Sequence, residues 1–197
     1  MQTTIRIGTR REFDSEHIKQ MFQLRARVFN RRLGWDVPTT DGMEIDDYDA
    51  LNPHYMLIQD ETSRVRGCWR LMPTEGPNML RNTFPQLLHG AAAPAGRHIW
   101  ELSRFAIDTE GEERTFGFTD LTISALQVAM TFAQRMGITR YATVTTTPIE
   151  RLLRRTGVEV YRFGPPLQIG VERAVALDWV VSPQTLEALF GRMEAAA

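Results

Sequence analysis

Residues 119–146 read TDLTISALQVAMTFAQRM, then Gly137, then ITRYATVTT, and this stretch decides the fold class. Apolar residues recur at helical spacing over 119–136, which predicts an amphipathic helix stopped by Gly137. Residues 138–146 follow at once. They are rich in β-branched and aromatic types and predict a buried strand. A helix that feeds directly into a buried strand points to an α/β domain.

Toward the C-terminus, 149–155 predicts a short helix ended by Gly157, and 158–163 and 169–181 predict strands separated by Pro165 and Pro166. Ser182 caps a last helix. Toward the N-terminus, 3–7 predicts a short strand. Residues 13–29 predict a helix capped by Asp14 or Ser15, with Ile18, Met21, Phe22, Arg25, Val28 and Phe29 on one stripe. Segments 54–59 and 65–72 predict antiparallel neighbours joined by a turn at 60–64, 82–88 a short helical piece, and 98–107 a strand. Residues 30–52 carry Gly34, Pro38, Gly42 and an acidic cluster without a clean period, and read as a long functional loop. The GAAAPAG stretch at 90–96 reads as a loop, too short for a domain boundary, so a single domain over 1–197 is expected. The element order predicts two or three layers around one mixed sheet.

Composition narrows the classes. The 197 residues, 43% hydrophobic and 24% charged, are those of a globular chain with a core. Acidic and basic residues number 24 and 23, so binding of nucleic acid by bulk phosphate neutralisation is not expected. Lys19 is the only lysine among the 23 basic residues, which leaves 22 arginines, a type suited to bidentate recognition of carboxylates and phosphates. Cys68 is the only cysteine, so no intrachain disulfide forms. His17, His54, His89 and His98 have no metal-ligand spacing, and no metal site is expected. The polar start MQTTIRIGTRREFDSE and the lack of a long apolar run predict a cytoplasmic protein without a membrane segment.

The first functional clue is charge inside core elements. Arg25 lies within the apolar stripe of the first helix, Arg70 within the strand VRGCWRLMP, and Glu101 and Arg104 within HIWELSRFAI. An unpaired guanidinium in such places is costly. In a regular strand Glu101, Ser103 and Phe105 point one way and Arg104 the other, and a bulge can bring Arg104 round. With Asp46 and Asp49 from the acidic cluster EIDDYD, these residues predict one buried network. Such networks gather at catalytic sites.

The ordered motifs then become specific. Arg25-x-x-x-Phe29, LGW (33–35), EIDDYD (44–49), GCWRLMPTEGPNML (67–80), Phe84, WELSRFAID (100–108), VTTTPIERLLRRTG (144–157) and RFGPPLQIGVERAVAL (162–177) span nearly the whole chain. Together they resemble the LuxI-type acyl-homoserine-lactone synthases, with the nearest likeness to members making long-chain 3-oxoacyl lactones. The resemblance implies a GNAT-like three-layer α/β/α sandwich around a mixed, mostly antiparallel sheet. It implies S-adenosylmethionine as co-substrate, with no permanently bound cofactor, and an acyl thioester donor on acyl carrier protein. The amine of S-adenosylmethionine takes the acyl group, and its carboxylate then displaces methylthioadenosine to close the lactone. Arg25, Phe29, Trp35, Asp46, Asp49, Arg70, Glu101 and Arg104 match the family's invariant positions, and Phe84 matches its pattern.

That chemistry assigns roles. A carboxylate takes the amine proton during attack, with Glu101 as first candidate and Asp46 as second. Arg104 stabilises the thioester oxyanion or holds Glu101 ionised. Phe29 and Trp35 wall the sulfonium and adenine, while Arg25, Asp46, Asp49 and Arg70 form an electrostatic frame. Ser103, Phe105, Met130, Thr143, Val144 and Thr145 lie on elements expected to line an acyl tunnel. In the family, threonine at the position of Thr145 accompanies a 3-oxo group. Arg151, Arg154 and Arg155 share a helix face and are expected to dock the acidic carrier protein. Two rivals are an acetyl-CoA-dependent GNAT acetyltransferase and a non-catalytic acyl-binding module. The first calls for a phosphate-cradling loop before a helix, which Arg114-Thr-Phe-Gly117-Phe-Thr119 matches only in part.

Overall fold

The computed structural model describes residues 3–108 and 116–194. Arg114 and Thr115 of the partial phosphate-loop match lie outside the described residues, as do the side chains of 116–119. The strands are β1 (Thr4–Thr9), β2 (Thr39–Thr40), β3 (Met43–Glu44), β4 (His54–Gln59), β5 (Val65–Pro73), β6 (Ile99–Ile107), β7 (Arg140–Thr146), β8 (Val160–Arg162), β9 (Leu167–Ile169) and β10 (Glu172–Val180). The helices are α1 (Ser15–Arg25), α2 (Met79–Asn82), α3 (Phe116–Met136), α4 (Thr147–Thr156) and α5 (Pro183–Glu194). The main sheet has the order β1-β4-β5-β6-β7-β10-β8, with β9 on β10. β6 and β7 are parallel, whereas β1–β4, β4–β5, β7–β10, β8–β10 and β9–β10 are antiparallel. The expected mixed, mostly antiparallel sheet is therefore present. No helix among the described residues is long and apolar enough to cross a membrane.

The chain divides into two compact units, Met1–Leu71 with Ser103–Ala125, and Met72–Leu102 with Leu126–Ala197. In the first, the α1 stripe packs Ile18, Met21, Phe22 and Leu24 with Tyr55, Leu57, Cys68 and Ala106. Burial pushes the Cys68 thiol up to about 12, so it is a poor nucleophile. In the second, Leu80, Leu87 and Leu88 pack with Ala142, Ala174 and Ala176, and Phe84, Val144 and Phe163 lie against them.

Two segments differ from their sequence readings. The expected loop at 30–52 contains the β2–β3 hairpin and a 3₁₀ turn over Asp47–Leu51. Asp41 and Gly42 both take positive φ, 51° and 74°, the turn that an Asp-Gly pair favours between paired strands. The single strand expected over 169–181 is split, because Gly170 (φ 57°) reverses the chain between β9 and β10. Gly137 (φ 67°) and Gly157 (φ 86°) end α3 and α4 as the sequence indicates.

Gly157→Ala is expected to cost roughly 1–2 kcal/mol, because a left-handed alanine is strained and the new Cβ lies 3.2 Å from Ala188 Cβ. Urea unfolding measures this, and an unchanged midpoint contradicts the cap assignment.

Candidate active site

The site in the first unit begins with α1. The helix turns Arg25 inward with Met21 and Phe22, and its guanidinium is 1% exposed. Past Arg25 the helix widens into a π-helix over Ala26–Arg32, a form that recurs at functional sites. Its end brings Trp35 back, with Trp35 N–H donating to Phe29 O at 2.9 Å. The two rings stack at 5.5 Å and 27°.

Three carboxylates meet three arginines. Arg25 donates to Glu44 through Nε (2.5 Å) and to both oxygens of Asp49 (2.9 Å each). Arg104 donates from Nε to Glu44 at 3.0 Å and places its NH2 2.9 Å from Asp46 Oδ2. Arg70 NH1 lies 2.5 Å from Asp46 Oδ1 and 3.0 Å from Asp49 Oδ1. The six groups close a ring of alternating sign: Arg25, Glu44, Arg104, Asp46, Arg70, Asp49 and back to Arg25. The ring has no net charge, which is what allows it to be buried. Tyr55 adds a hydroxyl to Asp49 at 2.8 Å, and Arg70 Nε donates to Ser103 Oγ at 3.1 Å.

Local structure aims these groups. Asp46 caps the 3₁₀ turn by accepting from Tyr48 N–H (3.0 Å), while Asp49 accepts from Asp46 N–H (2.9 Å). The β2–β3 hairpin delivers Glu44, which is fully buried. Arg104 takes φ 59° within β6, a strained conformation for a non-glycine residue. This left-handed residue accompanies the contacts of Arg104 with Glu44 and Asp46.

The electrostatics rank the arginines. Burial works against the charge of Arg25, yet Asp49 and Glu44 outweigh it and hold its pKa above the ordinary value. Burial likewise opposes Arg70, and Asp49 and Asp46 outweigh it. At Arg104 burial wins over Glu44, so its pKa falls and it is the least compensated cation of the ring. Burial raises the Asp49 carboxyl, but Arg25 and Arg70 hold it well below the usual range. Burial, reinforced by Asp49, pushes the Tyr55 hydroxyl well up and keeps it a neutral donor.

Other expected site residues take different surroundings. Glu101 belongs to the second unit, and its 1%-exposed carboxylate accepts the backbone N–H groups of Met79 (3.0 Å) and Leu80 (2.7 Å) at the start of α2. Each oxygen thus accepts one N–H, which fixes the carboxylate against the start of α2. Phe29 is buried between stacked Trp35 and the Arg104 guanidinium, 5.3 Å from its centroid, so its ring already has a cation. Half-buried Trp35 keeps an indole N–H without a hydrogen-bond partner. Phe84 packs in the second unit's apolar cluster with Val144.

The expected tunnel residues divide by strand parity. Thr143 and Thr145 share one face of β7 with Tyr141, whose hydroxyl donates to Ala129 O of α3 at 2.9 Å. Val144 points to the opposite face with Ala142, so it cannot share one wall with the threonines. Met130 is fully buried on α3, Phe105 packs on Trp69 at 4.7 Å, and Ser103 is drawn to Arg70. On α4, Arg151, Arg154 and Arg155 are exposed. Arg154 also donates to buried Glu150 at 2.9 Å, a carboxylate that Arg162 holds through two further bonds of 2.7 and 2.6 Å.

Glu44 is the ring member that sequence reasoning missed. The Asp41-Gly42 hairpin signal could have found it, since the hairpin places Met43 and Glu44 in a strand rather than a solvated loop.

Residues 10–189 match the family model for autoinducer synthases. An acyl-homoserine-lactone synthase of Pseudomonas aeruginosa is 50% identical over 189 residues, covering 95% of this chain and 94% of that protein. The crystal structure of the AHL synthase LasI superposes with a TM-score of 0.91 at 49% identity, covering 96% of this chain and 95% of that one. BjaI, a CoA-dependent acyl-homoserine lactone synthase solved with SAM and isopentyl-CoA, superposes with a TM-score of 0.85 at 26% identity, covering 98% and 90%.

Removing one charge from the ring leaves its partners buried and uncompensated. Glu44→Gln is therefore expected to destabilise the fold by roughly 3–5 kcal/mol. Tyr55→Phe, which removes one bond to a charged group, is expected to cost about 1.5–3 kcal/mol. Chemical denaturation measures both, and wild-type stability in Glu44→Gln contradicts the ring.

Proposed function

The chain belongs to the autoinducer synthase family and is an acyl-homoserine-lactone synthase, an acyltransferase; from that premise we propose that the charge ring builds its S-adenosylmethionine site. The observation that carries this reading is the closed alternation of three arginines and three carboxylates. It fixes the 43–51 segment, the π-helix end and Trp35 around a common point in the first unit.

Trp35 offers a ring face to the sulfonium and an indole N–H to a ligand acceptor. Arg104, the least compensated cation, stabilises the oxygen that becomes negative as the amine attacks the thioester. Asp46 takes the proton. Its Oδ2 has no hydrogen-bond partner, since Arg104 NH2 lies near it but off a hydrogen-bonding line. Asp46 has the largest side-chain exposure of the three acids, 9% against 0% for Glu44 and 2% for Asp49, with Oδ2 itself buried. A carboxylate suffices for this, because the attacking nitrogen becomes strongly acidic as its bond to carbon forms. Glu101 positions the start of α2 and takes no proton. In the second step a carboxylate oxygen attacks the side-chain carbon bonded to the sulfonium, and that carbon–sulfur bond breaks with its electrons leaving on neutral methylthioadenosine. This step needs a folded substrate more than an acid or base.

The donor we assign is an acyl chain on acyl carrier protein. The exposed arginines Arg151, Arg154 and Arg155 on α4 support it by charge complementarity with an acidic carrier. The CoA dependence of BjaI makes acyl-CoA the alternative. For the acyl chain, Thr143 and Thr145 present hydroxyls on one face of β7, suited to a 3-oxo group.

Incubation with S-adenosylmethionine and acyl carrier donor is expected to release methylthioadenosine and a lactone, read by mass spectrometry. An acetyltransferase releases no methylthioadenosine and a binding module turns over nothing, so either result overturns the reading. Asp46→Asn is expected to lower kcat by about 10²–10⁴-fold, and a folded Asp46→Asn variant at full rate removes the base assignment. Arg151→Glu with Arg155→Glu is expected to raise KM for the carrier donor alone, and an unchanged KM rules out that face.

A further inference from the structure

The face of β7 that carries Thr143 and Thr145 ends on a row of aromatic rings, all within the second unit. Trp100 of β6, Tyr141 of β7 and Trp179 of β10 stand side by side in register across three adjacent strands. Residues directly opposite one another share a face of the sheet, and this face is turned to α3. Trp100 meets the Phe132 ring edge-on at 5.6 Å and 72°. Tyr141 donates its hydroxyl to Ala129 O at 2.9 Å. The Tyr141 and Trp179 rings lie 5.6 Å apart, tilted by 41°. All three residues are buried.

The Tyr141 bond gives the row its height. A side chain rooted on the strand that reaches the helix backbone spans the gap between the two layers, so Tyr141 stands as a pillar from sheet to helix. Burial keeps its hydroxyl protonated and therefore a donor. The next row toward the C-terminal end of β7 is aliphatic and smaller, with Leu102, Thr143 and Leu177 in register. Beyond it Thr145 pairs with Val175. Exposure rises in the same direction, from 0% at Tyr141 to 5% at Thr143 and half-buried at Thr145. The layer is closed by rings at one end and opens toward Thr145 at the other.

We propose that the Trp100–Tyr141–Trp179 row is the end-stop of the acyl site and sets the longest chain the enzyme accepts, with Tyr141 as the specificity-determining residue. The proposal rests on the acyl-transfer reading and on Thr145 holding the 3-oxo group. No residue of β7 takes a positive φ, and the strand keeps an unbroken register with β10, so strand spacing measures the depth. The four steps from Thr145 to Tyr141 cover about 13 Å at roughly 3.3 Å each. Contact with the rings takes about 3.5–4 Å of that. An extended chain advances about 1.2 Å per bond, since three backbone bonds span roughly 3.6 Å. About eight carbons then fit beyond the 3-position, or about eleven in all.

The test gives the full chain S-adenosylmethionine and 3-oxoacyl carrier donors graded in length, one at a time, and reads methylthioadenosine release. In the wild type kcat/KM is expected to fall by about tenfold or more per added methylene once the chain outgrows this depth. A rate that stays level well past it overturns the end-stop without any variant. Tyr141→Leu is expected to raise kcat/KM for the longer chains by about tenfold or more, with KM for S-adenosylmethionine unchanged. Tyr141→Phe keeps the ring and is expected to keep the wild-type cut-off. A folded Tyr141→Leu variant with the wild-type cut-off, or a cut-off that moves as far in Tyr141→Phe, overturns the proposal. Should Tyr141→Leu unfold, Leu177→Phe carries aromatic bulk one row closer to Thr145 and is expected to shorten the longest accepted chain. An unshifted cut-off there has the same overturning force. Failure of the acyl-transfer reading shows differently, as absence of methylthioadenosine with every donor, and the proposal then falls with it.

Discussion

The first unit depends on one buried guanidinium. Arg25 sits in the apolar stripe of α1, where an unpaired charge would be intolerable, and the chain answers with Glu44 and both oxygens of Asp49. Those acids in turn require Arg104 and Arg70, and Asp46 joins the two. Each ion is thereby flanked by two of opposite sign. Such a ring is weak evidence for stability on its own, since well-packed apolar side chains would do as well. Its value lies in position. It pins a hairpin, a 3₁₀ turn, a left-handed strand residue and a helix to one another through side chains that tolerate little displacement.

That constraint explains the irregular backbone around it. The π-helix after Arg25, the left-handed Arg104 and the short β2–β3 hairpin are each costly alone. They persist because the ring needs its six groups at hydrogen-bond distance. The result is a polar centre of no net charge edged by a half-buried tryptophan, suited to a ligand that carries an amine, a carboxylate and a sulfonium together.

Much of this was legible in the chain. Charged residues inside apolar elements announced a buried network, and Arg25, Arg70, Arg104, Asp46 and Asp49 all take part in it. Helix and strand positions followed from periodicity, and Gly137 and Gly157 marked helix ends. What stayed hidden depended on tertiary partners. Glu44 reads as one more solvated acid beside Asp46 and Asp47 unless Asp41-Gly42 is taken as the turn of a hairpin. Glu101 has the residue type of a base, and only the folded chain shows its carboxylate fixed by the backbone amides of Met79 and Leu80. Val144 sits between two threonines in sequence, and strand parity sends it to the other face of the sheet. The likeness to known synthases supplied the reaction, which no spacing rule gives.

The central claim is that the geometry of the ring, and not its charge alone, makes the S-adenosylmethionine site. Calorimetric titration of S-adenosylmethionine into Arg104→Lys, which retains the positive charge but not the planar fork, tests this most directly. The account predicts a folded protein whose affinity falls by about tenfold or more. Wild-type affinity in that variant contradicts it.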